Sequence, residues 1–173
     1  MAEEVQAKSV EAEAKSEEAE ARDLDEILER IIRLGFDGDS HRYEEFCQVM
    51  REGLPPGTGV ALRGSVVTNE RWADGEPFDA DGYGTSDLDV TLVGGEVMEC
   101  WNSDGYYIPG LHTKPLGDKD PAIAPNLNTL RERLQRLAGR PVNFQATSNI
   151  VLFARDVLMN QPYHMIIEPG EPS

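Results

Sequence analysis

The chain has 173 residues, enough for one domain with a proper core, and 32 acidic against 16 basic side chains give it a formal net charge of -16. That balance excludes broad, non-specific binding of nucleic acid, whose phosphates need a basic surface, but not a nucleotide held through a metal ion. No apolar run approaches the roughly 18 residues of a membrane span, and the acidic Met1-Ala2-Glu3-Glu4 start is unlike a signal peptide, so no membrane partner and a cytoplasmic location are expected. Cys47 and Cys100 lack CxxC or zinc-type spacing and are expected as buried free thiols, and His41, His112 and His164 form no ligand pattern.

Residues 1–22 are almost wholly Ala, Glu, Lys, Ser and Val. They favour helix locally but offer little to bury, so an acidic, frayed or disordered tail is expected ahead of a single domain over residues 23–168. Asp23 with Glu26 resembles a capping box, and Leu24, Ile27, Leu28, Ile31 and Leu34 then recur at helical spacing up to Gly35. A second helix starts near Asp39 or Ser40, presents Tyr43, Phe46, Cys47 and Met50 on one face, and ends near Gly53. The turn cluster Pro55-Pro56-Gly57-Thr58-Gly59 delivers the chain into a first strand, Val60 to Arg63. Gly64-Ser65 then opens a short turn or helix, and a polar, Gly-rich loop runs from Trp72 to Thr85.

In the next strand Leu88, Val90 and Leu92 fall on one face, and Asp87, Asp89 and Thr91 on the other. Two carboxylates on one face repel, and the usual compensation is a divalent cation, most naturally magnesium, which takes one or two carboxylates plus substrate phosphates. Glu96 to Trp101 fits either strand or helix. Asn102 to Ala124 reads as a long, partly ordered loop. Leu127, Leu130, Leu134 and Leu137 define a helix stopped by Gly139, and Val142 to Ala146 a strand with Asn143 and Gln145 on its polar face. Ser148 is expected to cap a last long helix reaching Leu158. Tyr163 to Ile167 closes the chain as a strand, followed by a Pro-rich tail, residues 169–173. Four strands among four helices without strict βαβ alternation predict an α+β fold, a small mixed β-sheet with helices packed on it.

A strand ending in Gly64-Ser65, followed by Asp87-Leu88-Asp89 opening the next strand, resembles the signature of the polymerase-β-like nucleotidyltransferase superfamily. Arg140-Pro141-Val142-Asn143-Phe144, leading into a helix and a closing strand, is similar to the end of that family's minimal domain. The resemblance covers roughly residues 43–167 and implies a magnesium-dependent transfer of a nucleoside monophosphate from a nucleoside triphosphate (NTP) to an acceptor hydroxyl. Two magnesium ions would sit on Asp87 and Asp89, the phosphates on Gly64 and Ser65 with help from Ser86 and Arg63, and Arg71 and Lys114 are further candidate phosphate contacts. Small stand-alone relatives act as antitoxins or modify proteins or drugs, so a protein partner is a further possibility, with the acidic tail as its contact.

Two departures from the family pattern stand out. The gap between Ser65 and Asp87 is longer than the family's, which implies an insertion within residues 69–84. Asn143 takes the place of the third catalytic carboxylate, and an amide cannot accept a proton from an attacking hydroxyl. Asp79, Asp81 and Glu168, or a metal-bound hydroxide, are candidate substitutes for that base. The alternative is a catalytically impaired member that binds a nucleotide or a partner.

Overall fold

A computed structural model describes residues 2–171. Its elements in chain order are α1 (Ala2–Gly35), α2 (Ser40–Gly53), β1 (Gly59–Arg63), α3 (Ser65–Thr68), β2 (Leu88–Val93), α4 (Gly95–Met98), β3 (Tyr106–Ile108), β4 (His112–Thr113), α5 (Pro125–Ala138), β5 (Val142–Thr147), α6 (Ile150–Asp156) and β6 (Tyr163–Ile167). The strands form one mixed sheet in the order β3-β4-β5-β2-β1-β6, in which β2 and β5 run parallel and the other pairs antiparallel. The fold is α+β, as the sequence predicts.

Alternation gives the sheet two unlike faces. Leu62, Leu88, Val90, Leu92, Val142 and Phe144 are all fully buried and join one core with Ile31, Phe36, Phe46 and Met50 of the first two helices and their connection, and Leu127 and Leu134 of α5. Asp39 caps α2 through its carboxylate, which accepts from the Arg42 amide at 3.1 Å, and Gly139 ends α5 in the left-handed conformation. The opposite face carries Arg63, Asp89, Thr91, Asn143, Gln145 and Thr147. Part of it is covered by α6, whose buried Phe153 lies under the Arg63 guanidinium and edge-on to His112.

Several expectations are corrected. The first helix does not begin at Asp23: it runs unbroken from Ala2, so the expected capping box is interior. The acidic segment, whose composition favours helix locally, is helical from Ala2, with the side chains of residues 8–26 exposed to solvent. Strong helix formers stay helical without burying anything, which a search for an apolar stripe does not detect. Met1, Pro172 and Ser173 of the two expected tails lie outside the described residues. The open choice at Glu96–Trp101 resolves as the one-turn helix α4 and following turns, while the loop after it contributes β3, β4 and a bridge from Leu116 to Phe144. The last helix is capped by Asn149, not Ser148, and ends at Asp156; Val157 and Leu158 belong to the turn beyond it. Cys47 is a buried free thiol, whereas Cys100 is only half-buried. No helix among the described residues is long and apolar enough to cross a membrane.

Candidate functional site

The C-terminal end of β1, the N-terminal end of β2 and that of β5 meet at one edge of the polar face. Antiparallel pairing sets Arg63 opposite Asp89, and parallel pairing sets Asp89 opposite Asn143, so the three residues form a row across three strands. The chain turns out of β1 at Gly64, whose φ of 77° and ψ of -153° suit glycine, and a Cβ there would lie 3.2 Å from Asp89 Oδ2. Ser65 then opens the single turn of α3. A cavity of about 480 Å³ opens in front of this row, lined by Arg63, Gly64, Ser65, Ser86, Asp87 and Asp89 among others. Of the residues expected to hold nucleotide or metal, Arg63, Gly64, Ser65, Arg71, Ser86, Asp87 and Asp89 are on this wall and Lys114 is not. Asn143 is not among the lining residues but touches both carboxylates from behind.

Its amide donates from Nδ2 to Asp87 Oδ2 at 2.8 Å and to Asp89 Oδ1 at 3.3 Å. The amide nitrogen therefore supplies, weakly, the positive partner that two adjacent carboxylates require. Gly117 closes over the other side: a Cβ at that position would come within 2.6 Å of Asn143 Oδ1. Burial pushes the Asp87 carboxyl above its ordinary pKa, and the neighbouring charges of Asp89 and Asp118 push the same way, with only the Asn143 hydrogen bond and Lys119 opposing. Asp87 thus faces a cavity with an incompletely compensated charge.

Arg63 lies along the same face. It donates from Nε to Thr91 Oγ1 at 3.1 Å and from Nη2 to Gln145 Oε1 at 2.8 Å, both neutral acceptors, and it forms no carboxylate bridge among the described residues. Gln145 is in turn fixed by donating to the Thr113 carbonyl at 3.0 Å. Burial lowers the Arg63 pKa from the ordinary arginine value, and the nearby Asp89 carboxylate raises it in part. Thr91 and Gln145 are site-supporting residues that sequence reasoning did not single out. Their signal was legible, since both share the polar face with Asp89 and Asn143, but nothing in the sequence says which cation they would hold.

The other candidates divide sharply. Ser86 lines the cavity, yet its hydroxyl accepts from the Asp79 amide at 2.8 Å and so faces the loop over residues 69–84. Asp79 is no general base: both of its oxygens take bonds from the buried Arg140, at 2.8 and 3.1 Å, and further bonds from the amides of Ser86 and Gly84. Burial alone would raise the Asp79 carboxyl, but the guanidinium and the two amides together hold it below the ordinary carboxylate value. Asp81 is paired with Arg71, which also holds Asp74 at 2.8 Å; Arg71 lines the cavity but has its charge already matched. Lys114 donates to the Asp104 carbonyl at 2.7 Å and does not line the cavity. Glu168 follows Ile167, which pairs with Val60 at the far end of β1, so it lies at the opposite edge of the sheet from Arg63. Asp118, which the sequence did not flag, approaches Asp87 but is bonded to Arg131 at 2.8 Å.

No family model, no curated protein and no solved structure matches this chain.

The donor set can be tested against magnesium directly. Among the described residues no group of three or more His, Cys, Asp or Glu side chains is placed to hold a metal ion. An all-protein cage is therefore not what the geometry offers. Two hard carboxylates at the wall of an open cavity, with remaining positions left to water and phosphate oxygens, do fit the way magnesium is held with nucleotides.

Proposed function

We propose that the cavity binds a magnesium-nucleoside triphosphate and that the protein is a nucleotidyltransferase moving a nucleoside monophosphate to an acceptor hydroxyl. The observation that carries this is the register: it brings the Gly64-Ser65 turn, Arg63 and the Asp87/Asp89 pair, scattered over 27 positions of the chain, to one cavity wall. Asp87 and Asp89 would hold magnesium, which when bound neutralises the triphosphate and the departing pyrophosphate. The missing side chain at Gly64 lets phosphate approach the backbone, and the Ser65 hydroxyl stands beside it. Arg63 supplies a fixed positive charge that no carboxylate among the described residues has claimed, worth more in a half-buried setting than in water. The cytoplasm, which supplies free magnesium and nucleoside triphosphates, is the compartment this function implies.

One observation favours a second reading, a nucleotide-binding protein with little or no turnover. Asn143 is neutral, and its Nδ2 is directed at both carboxylates. Of the carboxylates around the row, Asp79, Asp81 and Asp118 are not free to take the acceptor's proton, because all three are held by arginines.

A magnesium-dependent thermal shift tests the site, and transfer of α-labelled nucleotide tests the chemistry. At a free nucleotide concentration of about 100 times Kd, binding stabilises the native chain by about 2.7 kcal/mol, or roughly 5–10 °C for a chain of this size. Asp87→Ala should abolish that shift; a shift that persists in Asp87→Ala, or none in the native chain with any nucleotide, overturns the proposal. Asn143→Asp separates the two readings. Little label transferred by the native chain and a gain of 10²-fold or more in the variant, the usual yield of a positioned base, would show a site lacking only that group.

A further inference from the structure

The insertion that lengthens the chain between Ser65 and Asp87 is not slack. Arg71 donates to Asp74 and Asp81, its amide bonds the Glu76 carbonyl at 2.7 Å, and the Gly75 amide returns to the Arg71 carbonyl at 2.8 Å. Further along, Phe78 is buried beneath the Arg140 guanidinium, 4.6 Å from its ring centroid, and Asp79 is held by the same guanidinium. Between these two anchors, one large apolar side chain is left out of the packing. Trp72 is 73% exposed, whereas the chain's other tryptophan, Trp101, is buried and donates to the Lys114 carbonyl.

Trp72 lines the main cavity and also an adjoining recess of about 190 Å³, whose other walls are Thr68, Glu70, Arg71 and Gln161. Glu70 and Gln161 border both spaces, and among the described residues neither side chain has a hydrogen-bond or ionic partner. An exposed indole on a loop fixed from both sides is a preorganised stacking surface, because little conformational freedom is lost when a ring settles on it. A carboxylate at this end repels phosphate, so a nucleotide can enter in one sense only. Its phosphates lie at Gly64-Ser65 and the metal pair, and its base lies toward Trp72 and Glu70. Glu70 accepts hydrogen bonds only, while Gln161 both donates and accepts. The complementary base edge presents adjacent N–H donors together with an acceptor. Guanine has that edge, with N1–H and N2–H₂ side by side and O6 next to them; adenine offers one amino group and uracil one ring N–H.

Building on the magnesium-nucleotide site proposed above, we infer that Trp72 is the stacking platform for the base and that Glu70 and Gln161 select a guanine nucleotide. The test measures Kd by calorimetry for magnesium complexes of GTP, ATP, UTP and inorganic tripolyphosphate, with tryptophan emission followed in parallel. GTP should bind the native chain most tightly and quench emission, while tripolyphosphate should bind without quenching. Trp72→Ala should weaken GTP roughly 5- to 150-fold, the range that loss of one aromatic stack produces, and leave tripolyphosphate affinity and the melting temperature unchanged. Trp72→Phe should restore GTP affinity to within about 3-fold, since a smaller ring still stacks. Glu70→Gln should narrow the ratio of GTP to ATP affinity. Equal GTP affinity in the native chain and Trp72→Ala would overturn the platform while leaving the metal-phosphate site standing. A native chain that binds ATP or UTP at least as well as GTP would overturn the selection by Glu70 and Gln161. Failure of both GTP and tripolyphosphate to bind the native chain would remove the site itself, and this inference with it.

Discussion

Two arginines flank the central strands, the buried Arg140 and the half-buried Arg63, and they live in opposite electrostatic settings. Arg140 sits where the loop over residues 69–84 meets the start of β5. It gives two bonds to the Asp79 carboxylate and others to the carbonyls of Ser86 and Leu34, with only its Nε unpartnered. Arg63 lines the cavity, lies over the Phe153 ring and, among the described residues, donates only to a hydroxyl and an amide oxygen, with Asp89 nearby but not bonded. Both pay desolvation, yet only Arg140 recovers a full counter-charge. The contrast separates a cation that builds the fold from one left available to an incoming anion.

The largest effect should come from breaking the first of these. Arg140→Ala strands Asp79 and unties the 69–84 loop from α1, β2 and β5, and loss of one partner of a buried pair costs about 3–5 kcal/mol. The melting temperature should fall by roughly 6–20 °C; a fall of less than about 2 °C would show that the pair is not structural. Arg63→Met should be milder, about 1–2 kcal/mol, because Thr91 and Gln145 lose a donor but no charge is stranded. The same variant should weaken nucleotide binding at least about 10-fold, which a titration of magnesium-nucleotide would read. If Arg63→Met proves as destabilising as Arg140→Ala, the division between the two arginines fails.

A smaller effect concerns pH. The Asp79 carboxyl is held below its ordinary value in the folded chain, so the unfolded chain binds its proton more readily. Its contribution is therefore complete above the unfolded pKa of about 3.9 and is lost as pH falls through the folded value. Denaturant unfolding of the native chain and Asp79→Asn across pH 3 to 7 should show the variant less stable at neutral pH and the two converging below about pH 4. Divergence toward low pH would contradict the sign. The smallest effect belongs to the acidic end of α1. Removing residues 1–22 should change stability by less than about 0.5 kcal/mol, since the described side chains from 8 to 22 are exposed. A larger loss in a melting curve would reveal packing that these side chains do not show.

Much of the fold was readable because burial leaves a period. Leu88, Val90 and Leu92 alternate with Asp89 and Thr91, and α2 and α5 show stripes with recognisable stops, so these elements fall where expected. The same alternation puts Asn143 on the polar face of its strand, and the parallel pairing of β2 and β5 sets it opposite Asp89. Short strands leave no such trace. β3 and β4 have three and two residues, and they exist because the segment after α4 lies against β5, not because of their own composition. The helical cap was misplaced by one residue for a related reason: Ser148 and Asn149 are both good caps, and Asn149 accepts from the amides of Val151 and Leu152 only because of how the chain leaves β5.

By itself, then, the sequence determined the α+β class and the two faces of the central strands, and only the resemblance to a family suggested the company of Gly64, Ser65, Asp87, Asp89 and Asn143. Periodicity and turn chemistry are local properties, written over a few residues at a time. Only the tertiary structure decided which charges were spoken for. Asp79 and Arg140 are 61 positions apart, and Arg63 and Gln145 are 82 apart. No local pattern distinguishes a carboxylate held by a distant guanidinium from one facing an open cavity, because Coulombic partners are chosen by proximity in space and by what burial leaves unpaired.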